Sequence, residues 1–227
     1  MRKNKITALL PMKANSERVK GKNFKSFNGK PLFRWTLDTL MSIDEIDQIV
    51  INTDARKILS DNGLVESTKL VIRDRKPDIC GDLVSMNDVI QDDVMNIDSE
   101  IFLMTHTTNP LITKKTVQGA LTAFRKNKNV ESLFTVDKIQ TRFYDVNCNP
   151  INHDPNNLLR TQDLPPWFEE NSNLYIFTRD SFLESKARIG RRTMMYETPK
   201  FESIDIDTPE DWDLAVVISG YIHDGEE

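Results

Sequence analysis

Residues 6–32 (ITALLPMKANSERVKGKNFKSFNGKPL) begin as a short apolar run and break into a polar, cationic loop. Six positive charges fall between Lys13 and Lys30, around Gly21, Gly29 and the short polar residues Asn15, Ser16 and Asn23. Such a loop suits phosphate, because backbone N–H groups approach an anion closely at glycine and small residues while Lys and Arg stay charged. Neither G-x-x-x-x-G-K-[ST] nor G-x-G-x-x-G is present, so the spacing is not that of a P-loop or a dinucleotide fingerprint. On charge pattern alone a solvated Lys-rich surface remains the competing reading. A second chemical signal closes the chain at residues 204–212 (IDIDTPEDW). Alternation in an extended segment puts Asp205 and Asp207 on the same side, where two carboxylates can converge on one hard cation. The competing reading there is a strand-to-helix turn with Thr208 as cap and Pro209 at the first helical position.

These residues need a frame, and the hydrophobic pattern supplies one. Residues 6–10 read as a buried strand ended by Pro11, 32–41 as a helix, 46–51 as a strand, and 55–62 as a helix stopped by Gly63. Residues 70–72, 101–104 and 132–136 read as further strands, with helices over 87–97 and 114–126. Strands alternating with helices imply an α/β protein whose parallel strands are joined by crossover helices. Ligands of open α/β sheets bind beyond the carboxyl ends of the strands. After the apolar run 101–104 that place is taken by residues 105–111 (THTTNPL). A lone histidine is more often structural, but the strand-end position of His106 favours a substrate contact, not a general base. Residues 138–166 are too rich in Asn and Pro for a sheet layer and read as an excursion from the core.

The chain has 227 residues, 38% hydrophobic and 29% charged, which fits one main globular domain and excludes disorder throughout. A net charge of −5 argues against a general nucleic-acid binder. With only Cys80 and Cys148 there is no disulfide framework and no C-x-x-C metal pair, which favours a reducing cytoplasm. No apolar run approaches the ~20 residues of a membrane helix, and no h-region follows Met1. A cytoplasmic protein without a membrane partner is expected.

Residues 11–23 (PMKANSERVKGKN) followed by 28–32 (NGKPL) resemble the N-terminal signature of the acylneuraminate cytidylyltransferases, P-A-R-x-x-S-K-x-x-x-x-K-N and then G-K-P-L. Ser16, Lys22, Asn23 and the GKPL fall in register, whereas Lys13 stands in place of the family's Arg and lacks its planar fork. Residues 73–82 are similar to the family's R-P-A-E-L-x-x-D element through Arg75, Ile79 and Asp82. Against L-Q-P-T-S-P-L, Thr108, Pro110 and Leu111 match, while His106 replaces Gln and Asn109 replaces Ser. Residues 160–176 resemble R-Q-x-L-P…N-G-x-x-Y-I, with Glu169 near a position where sialate enzymes often carry Arg. The ending I-D-I-D-T-x-x-D matches the family's metal-binding segment.

The resemblance implies a Rossmann-like three-layer nucleotidyltransferase fold with a mostly parallel sheet and an inserted dimerisation arm. It implies a single domain over 1–227, with 138–190 as the sugar-pocket and dimerisation excursion, and a homodimer. The implied reaction transfers CMP from CTP to a 2-keto-3-deoxy nonulosonic acid, releasing pyrophosphate, with Mg²⁺ as cofactor. Pro11, Ala14, Asn15, Ser16, Asn23, Arg75 and Asn87 would hold the nucleotide, and Lys13 and Lys22 would offset charge on the phosphates. Asp205 and Asp207 would bind Mg²⁺, Asp207 also serving catalysis. His106, Thr108, Asn109, Arg160, Asn171 and Tyr175 would contact the sugar, Arg160 by its carboxylate, although Tyr175 also reads as core. Two alternatives stay open. One is a KDO-type enzyme, against which Lys22-Asn23 counts because KDO enzymes tend to have Lys-Pro there. The other is a catalytically silent nucleotide-binding paralogue, motivated by Lys13 and His106 and opposed by the intact Asp205/Asp207 pair.

Overall fold

Short apolar runs rich in β-branched residues form the strands of one sheet, and amphipathic segments cover both of its faces. The computed structural model describes residues 5–224. Its sheet contains β1 (Ile6–Leu9), β4 (Gln48–Thr53), β5 (Leu70–Asp74), β6 (Ile101–Met104), β7 (Ser132–Ile139), β8 (Trp167–Thr178) and β9 (Thr193–Glu197), in the spatial order β5-β4-β1-β6-β8-β7-β9. β8 alone among these runs antiparallel, pairing with β6 and β7, while β7 and β9 resume the common direction. The expected mostly parallel sheet is therefore present. β1 and β6 are buried along their whole length, which is why they read as unbroken apolar runs.

The helices are α1 (Leu32–Met41), α2 (Arg56–Asp61), α3 (Met86–Asn96), α4 (Lys114–Lys126), α5 (Arg179–Ser185) and α6 (Pro209–Asp224). α1 and α4 bury Phe33, Leu37, Leu40, Val117, Leu121 and Phe124 against one sheet face, with Ile6, Ala8, Ile49, Ile51 and Leu103. α3 and α5 bury Ile90, Val94 and Phe182 on the other face, against Leu9, Phe102 and Phe177. Each such large side chain contributes about 1.5–3 kcal/mol by leaving water. A third cluster joins α6, through Trp212 and Ala215, to Phe27 and Leu32. Phe27 and Lys30 are paired across the small hairpin of β2 (Ser26–Phe27) and β3 (Lys30–Pro31). Its two turn residues, Asn28 and Gly29, have φ of 42° and 89°, as a twisted two-residue hairpin turn requires.

The boundaries of the excursion differ from those expected over 138–190. Residues 140–166 leave the sheet, but 167–178 return to it as β8, because Leu174, Tyr175, Ile176 and Phe177 are fully buried between β6 and β7. The register between β7 and β8 shifts between Phe134 and Val136, and on β8 Ser172 adopts a left-handed φ of 56°. A bulge of this kind re-aims side chains at a sheet end. Cys80 and Cys148 are free. No helix among the described residues is long and apolar enough to cross a membrane.

Candidate active site

The carboxyl ends of β1, β5 and β6 open into a cleft of about 380 Å³. The cationic loop forms one wall. It is pinned at its start by the Ala14 N–H, which donates to Asp54 Oδ1 at 2.7 Å just beyond β4. Asn23 fastens its end, donating through Nδ2 to the Lys13 carbonyl (2.9 Å) while Oδ1 accepts from the Thr107 hydroxyl (2.7 Å). Gly21, at φ 63°, makes the left-handed turn that sends Lys22 inward. Arg75 reaches across from the end of β5 and donates to the carbonyls of Met12 (3.1 Å) and Asn52 (2.8 Å) and to Asn52 Oδ1 (3.1 Å). Burial lowers its pKa, and Asp54 opposes that shift. It stays a cation.

The Asp205-Ile206-Asp207 segment runs under the cleft, with Asp207 alone of the three in its lining, and is held at three points. Upstream, the buried Glu202 carboxylate accepts from the Thr113 N–H and from the Thr113 and Thr116 hydroxyls at the start of α4, where an anion is favourable. Centrally, the Ile206 N–H donates to the Thr108 carbonyl (2.9 Å). Downstream, Thr208 and Asp211 cap α6 reciprocally: Thr208 Oγ1 accepts from the Asp211 N–H, and Asp211 Oδ2 accepts from the backbone N–H of Thr208 and Asp207.

Lys22 joins the loop to this segment. Its side chain is only 10% exposed, donates to the Ile206 carbonyl and lies 3.4 Å from Asp207 Oδ1. Arg18 approaches Asp207 Oδ2 at 3.1 Å from the solvent side, and Lys13 pairs with Asp82 across the mouth. That hydrogen bond holds the Asp82 carboxyl below its ordinary pKa. Asp205 behaves in the opposite way: burial and then the Asp207 charge raise its pKa, against the Thr108 hydroxyl and Lys22. Among the described residues its Oδ1 is buried without a hydrogen-bond partner. On the opposite wall part of the His106 ring is reachable from the cleft. Burial nonetheless pulls its pKa down to about 4, with Arg188 and Lys22 adding to the shift and Asp207 opposing it. The imidazole is neutral at neutral pH, suited to hydrogen bonding and not to carrying charge.

The cleft thus gathers Pro11, Lys13, Ser16, Lys22, Asn23, Arg75, His106, Thr108 and Asp207 from the sites expected from sequence. Ala14 and Asn15 lie in the same loop but are not part of the cleft lining, and Asn87 sits beside Met86, which is. The remaining sugar residues fall elsewhere. Arg160 is exposed on the excursion and paired bidentately with Asp163 (2.7 and 3.1 Å). Asn171 is buried, donating to Thr198 Oγ1 (2.7 Å) and accepting from the Asn173 N–H. Asn109 is fully buried under the strand end, where its carbonyl and that of His106 face the Thr36 hydroxyl of α1 at 3.4 Å each. The Tyr175 ring belongs to the core, and its hydroxyl donates to Glu170. Burial, with Glu170, pushes that phenol up to about 12. Sequence reasoning did not single out Arg18, Thr107 and Met86 as site residues, although Arg18 stands inside the signature loop; only folding tells its direction from that of Lys20.

A cationic loop facing Asp207 at the carboxyl edge of a mostly parallel sheet is an arrangement that suits a nucleotide phosphate. A family model described as cytidylyltransferase matches residues 7–218. The chain belongs to the cytidylyltransferase family. It is thereby a member of a family of nucleotidyltransferase enzymes. An N-acylneuraminate cytidylyltransferase of Streptococcus agalactiae serotype V is 25% identical over 219 residues, covering 92% of this chain and 52% of that protein. The chain therefore spans about half the length of that relative. A pseudaminic acid cytidylyltransferase of Campylobacter jejuni is 23% identical, with 97% of this chain and 98% of that protein covered. Among solved structures, a CMP:2-keto-3-deoxy-manno-octonic acid synthetase complexed with CTP aligns over 96% of this chain and 99% of its own, with a TM-score of 0.67 at 14% identity. That likeness establishes the shared cytidylyltransferase fold.

Proposed function

We propose that this cytidylyltransferase transfers CMP from CTP to a 2-keto-3-deoxy nonulosonic acid in the cytoplasm, releasing pyrophosphate. The observation that carries the reading is Lys22: a buried cation between the phosphate loop and Asp207, at the sheet edge where an α-phosphoryl group would lie. Lys13, Arg18 and Lys22 are paired with Asp82 and Asp207 in the free chain. A bound triphosphate takes over these cations and gains charge-assisted contacts in a partly dehydrated site, where charge building on the leaving pyrophosphate is offset. Arg75 and Asn23 keep the loop and the strand ends in register, so positioning is their contribution.

The residues present fit Mg²⁺. Among the described residues Asp205 Oδ1 is a buried carboxylate oxygen without a partner, next to the Asp207 charge, and a hard cation would satisfy such a pair. When bound, the ion polarises the phosphate oxygens. Among the described residues no set of three His, Cys, Asp or Glu side chains is grouped for a metal, so a resident all-protein site is not part of the proposal. A homodimer is proposed as well, supported by exposed Val146, Leu158, Leu159, Trp167 and Phe168 on and beside the excursion.

The test is Mg²⁺-dependent pyrophosphate release from CTP with N-acetylneuraminate, legionaminate, pseudaminate and KDO in turn, beside Asp207→Ala. Turnover with a nine-carbon acid that disappears in the variant is expected. Preference for KDO would move the acceptor to the eight-carbon acids, and CTP binding with no release for any acid would make the chain a nucleotide binder.

A further inference from the structure

Arg188 lies in the segment after α5, far in sequence from the signature loop, yet its charge acts directly on His106 in the cleft wall. Its guanidinium stacks over the Tyr175 ring, 3.9 Å from the centroid, and stands 3.6 Å from Glu170 Oε1. β8 runs against β6, with Met104 opposite Tyr175, so Glu170 projects beyond the carboxyl end of β6, on the same edge as His106. The next residue, Ile189, packs in the same cluster as Met86, which lines the cleft. Arg188 therefore lies outside the lining of the cleft itself but next to its His106 and Met86 side. Its side chain is 22% exposed, and among the described residues its N–H groups make no hydrogen bond, the Glu170 contact being an ion pair beyond hydrogen-bond length. A half-buried guanidinium fixed by stacking, with its planar donor fork unengaged, is arranged for a carboxylate.

We propose that Arg188 receives the carboxylate of the acceptor sugar acid, the place that sequence alone would give to Arg160. The inference rests on the proposed transfer to an acidic sugar. Neutral His106 beside it donates or accepts a hydrogen bond without competing for the anion. Glu170, already held by the Tyr175 hydroxyl, keeps the guanidinium in place until the substrate arrives.

The test compares wild type, Arg188→Lys and Arg188→Gln in steady-state pyrophosphate release, with each acid of the panel and with the methyl ester of the best one. The Gln variant is expected to raise KM for the acid about ten- to hundredfold, from loss of a charge-assisted contact, while KM for CTP stays within about twofold. It should also lose the wild-type preference for acid over ester, and Lys should restore that preference in part. An unchanged CTP KM certifies that the fold and nucleotide half are intact. Wild-type turnover with an unaltered sugar KM in Arg188→Gln, or an acid-over-ester preference that survives, overturns the assignment and leaves the transferase reading standing. No turnover and no calorimetric binding of any acid by the wild type overturns the transferase reading and the assignment with it.

Discussion

The two halves of the proposed site are built by opposite routes. The proposed phosphate half comes from a contiguous loop whose hydrogen bonds close on itself and on the adjoining strand ends: Asn23 to Lys13 and Thr107, Ala14 to Asp54, Arg75 to Met12. The proposed sugar half comes from β8 and a distant segment, and its members, of which only His106 lines the cleft, meet only through the sheet: His106 after β6, Glu170 and Tyr175 on β8, Arg188 after α5. A contiguous site fixes its chemistry by residue order. An assembled one fixes it by register, and two residues of the same type at comparable distances in sequence can have unrelated fates.

Breaking the first half should have the largest effect. Lys22→Met removes the buried cation between loop and Asp207, and kcat for pyrophosphate release at saturating CTP should fall about 10²- to 10³-fold; a fall smaller than the effect of Arg188→Gln would reverse the ranking of the two halves. Next comes Asn171, whose amide is committed to Thr198 and Asn173 inside the sheet. Asn171→Ala should lower unfolding free energy by about 1–3 kcal/mol in urea titration, because buried partners are left unpaired, with little change in the sugar KM of the folded fraction. A raised KM at full stability would return Asn171 to the acceptor site.

His106 ties the halves together and adds a pH signature. Its folded pKa of about 4 lies below the ordinary value of 6.5. Between these values the unfolded chain binds a proton that the folded chain refuses, so stability falls as pH drops from 6.5 towards 4 and this contribution levels off below. His106→Gln should remove that part of the slope. Wild type should lose on the order of 1 kcal/mol more than the variant between pH 7 and 4.5, the cleft-facing part of the ring being screened. Equal slopes in the two proteins would show that the ring titrates normally. The smallest effect is expected at Arg160: exposed and paired with Asp163, its replacement by Ala should leave KM for both substrates within about twofold. A tenfold rise in the sugar KM would place an arm residue in the site and collapse the contrast drawn above.

Much of this was legible in the sequence for physical reasons. The apolar runs at 6–10 and 101–104 can only be buried strands in a parallel sheet, and Lys114–Lys126 is delimited by an amphipathic stripe that the structure reproduces end to end. The phosphate loop was readable because its residues are neighbours. The Asp205-Ile206-Asp207 segment is not a strand: it is held by hydrogen bonds to Thr108 and Asp211, and only Asp207 of the pair lines the cleft. β8 was foreseen only in part. Its outer half, Trp167–Glu170, is exposed and polar enough to pass for loop, and the register shift opposite Ser172 breaks the alternation that would have joined it to Leu174–Phe177. Arg188 carried no signal, since it sits in a basic run, KARIGRR, where neighbouring arginines pair outward: Arg191 with Glu184 and Arg192 with Glu131.

The self-paired charges of the free cleft also bear on how fast the site fills. With a net charge of −5, the chain as a whole repels a triphosphate at long range. Lys13 and Lys22, which would counter that repulsion, are screened at close quarters by Asp82 and Asp207. On the proposed function, capture of CTP is an exchange of partners at contact distance instead of a steered encounter, and added salt, by screening the long-range repulsion, should raise its association rate and not lower it. On the same reading the exchange works in reverse: Asp82 and Asp207 would reclaim their lysines, giving the departing pyrophosphate an internal competitor and shortening its stay.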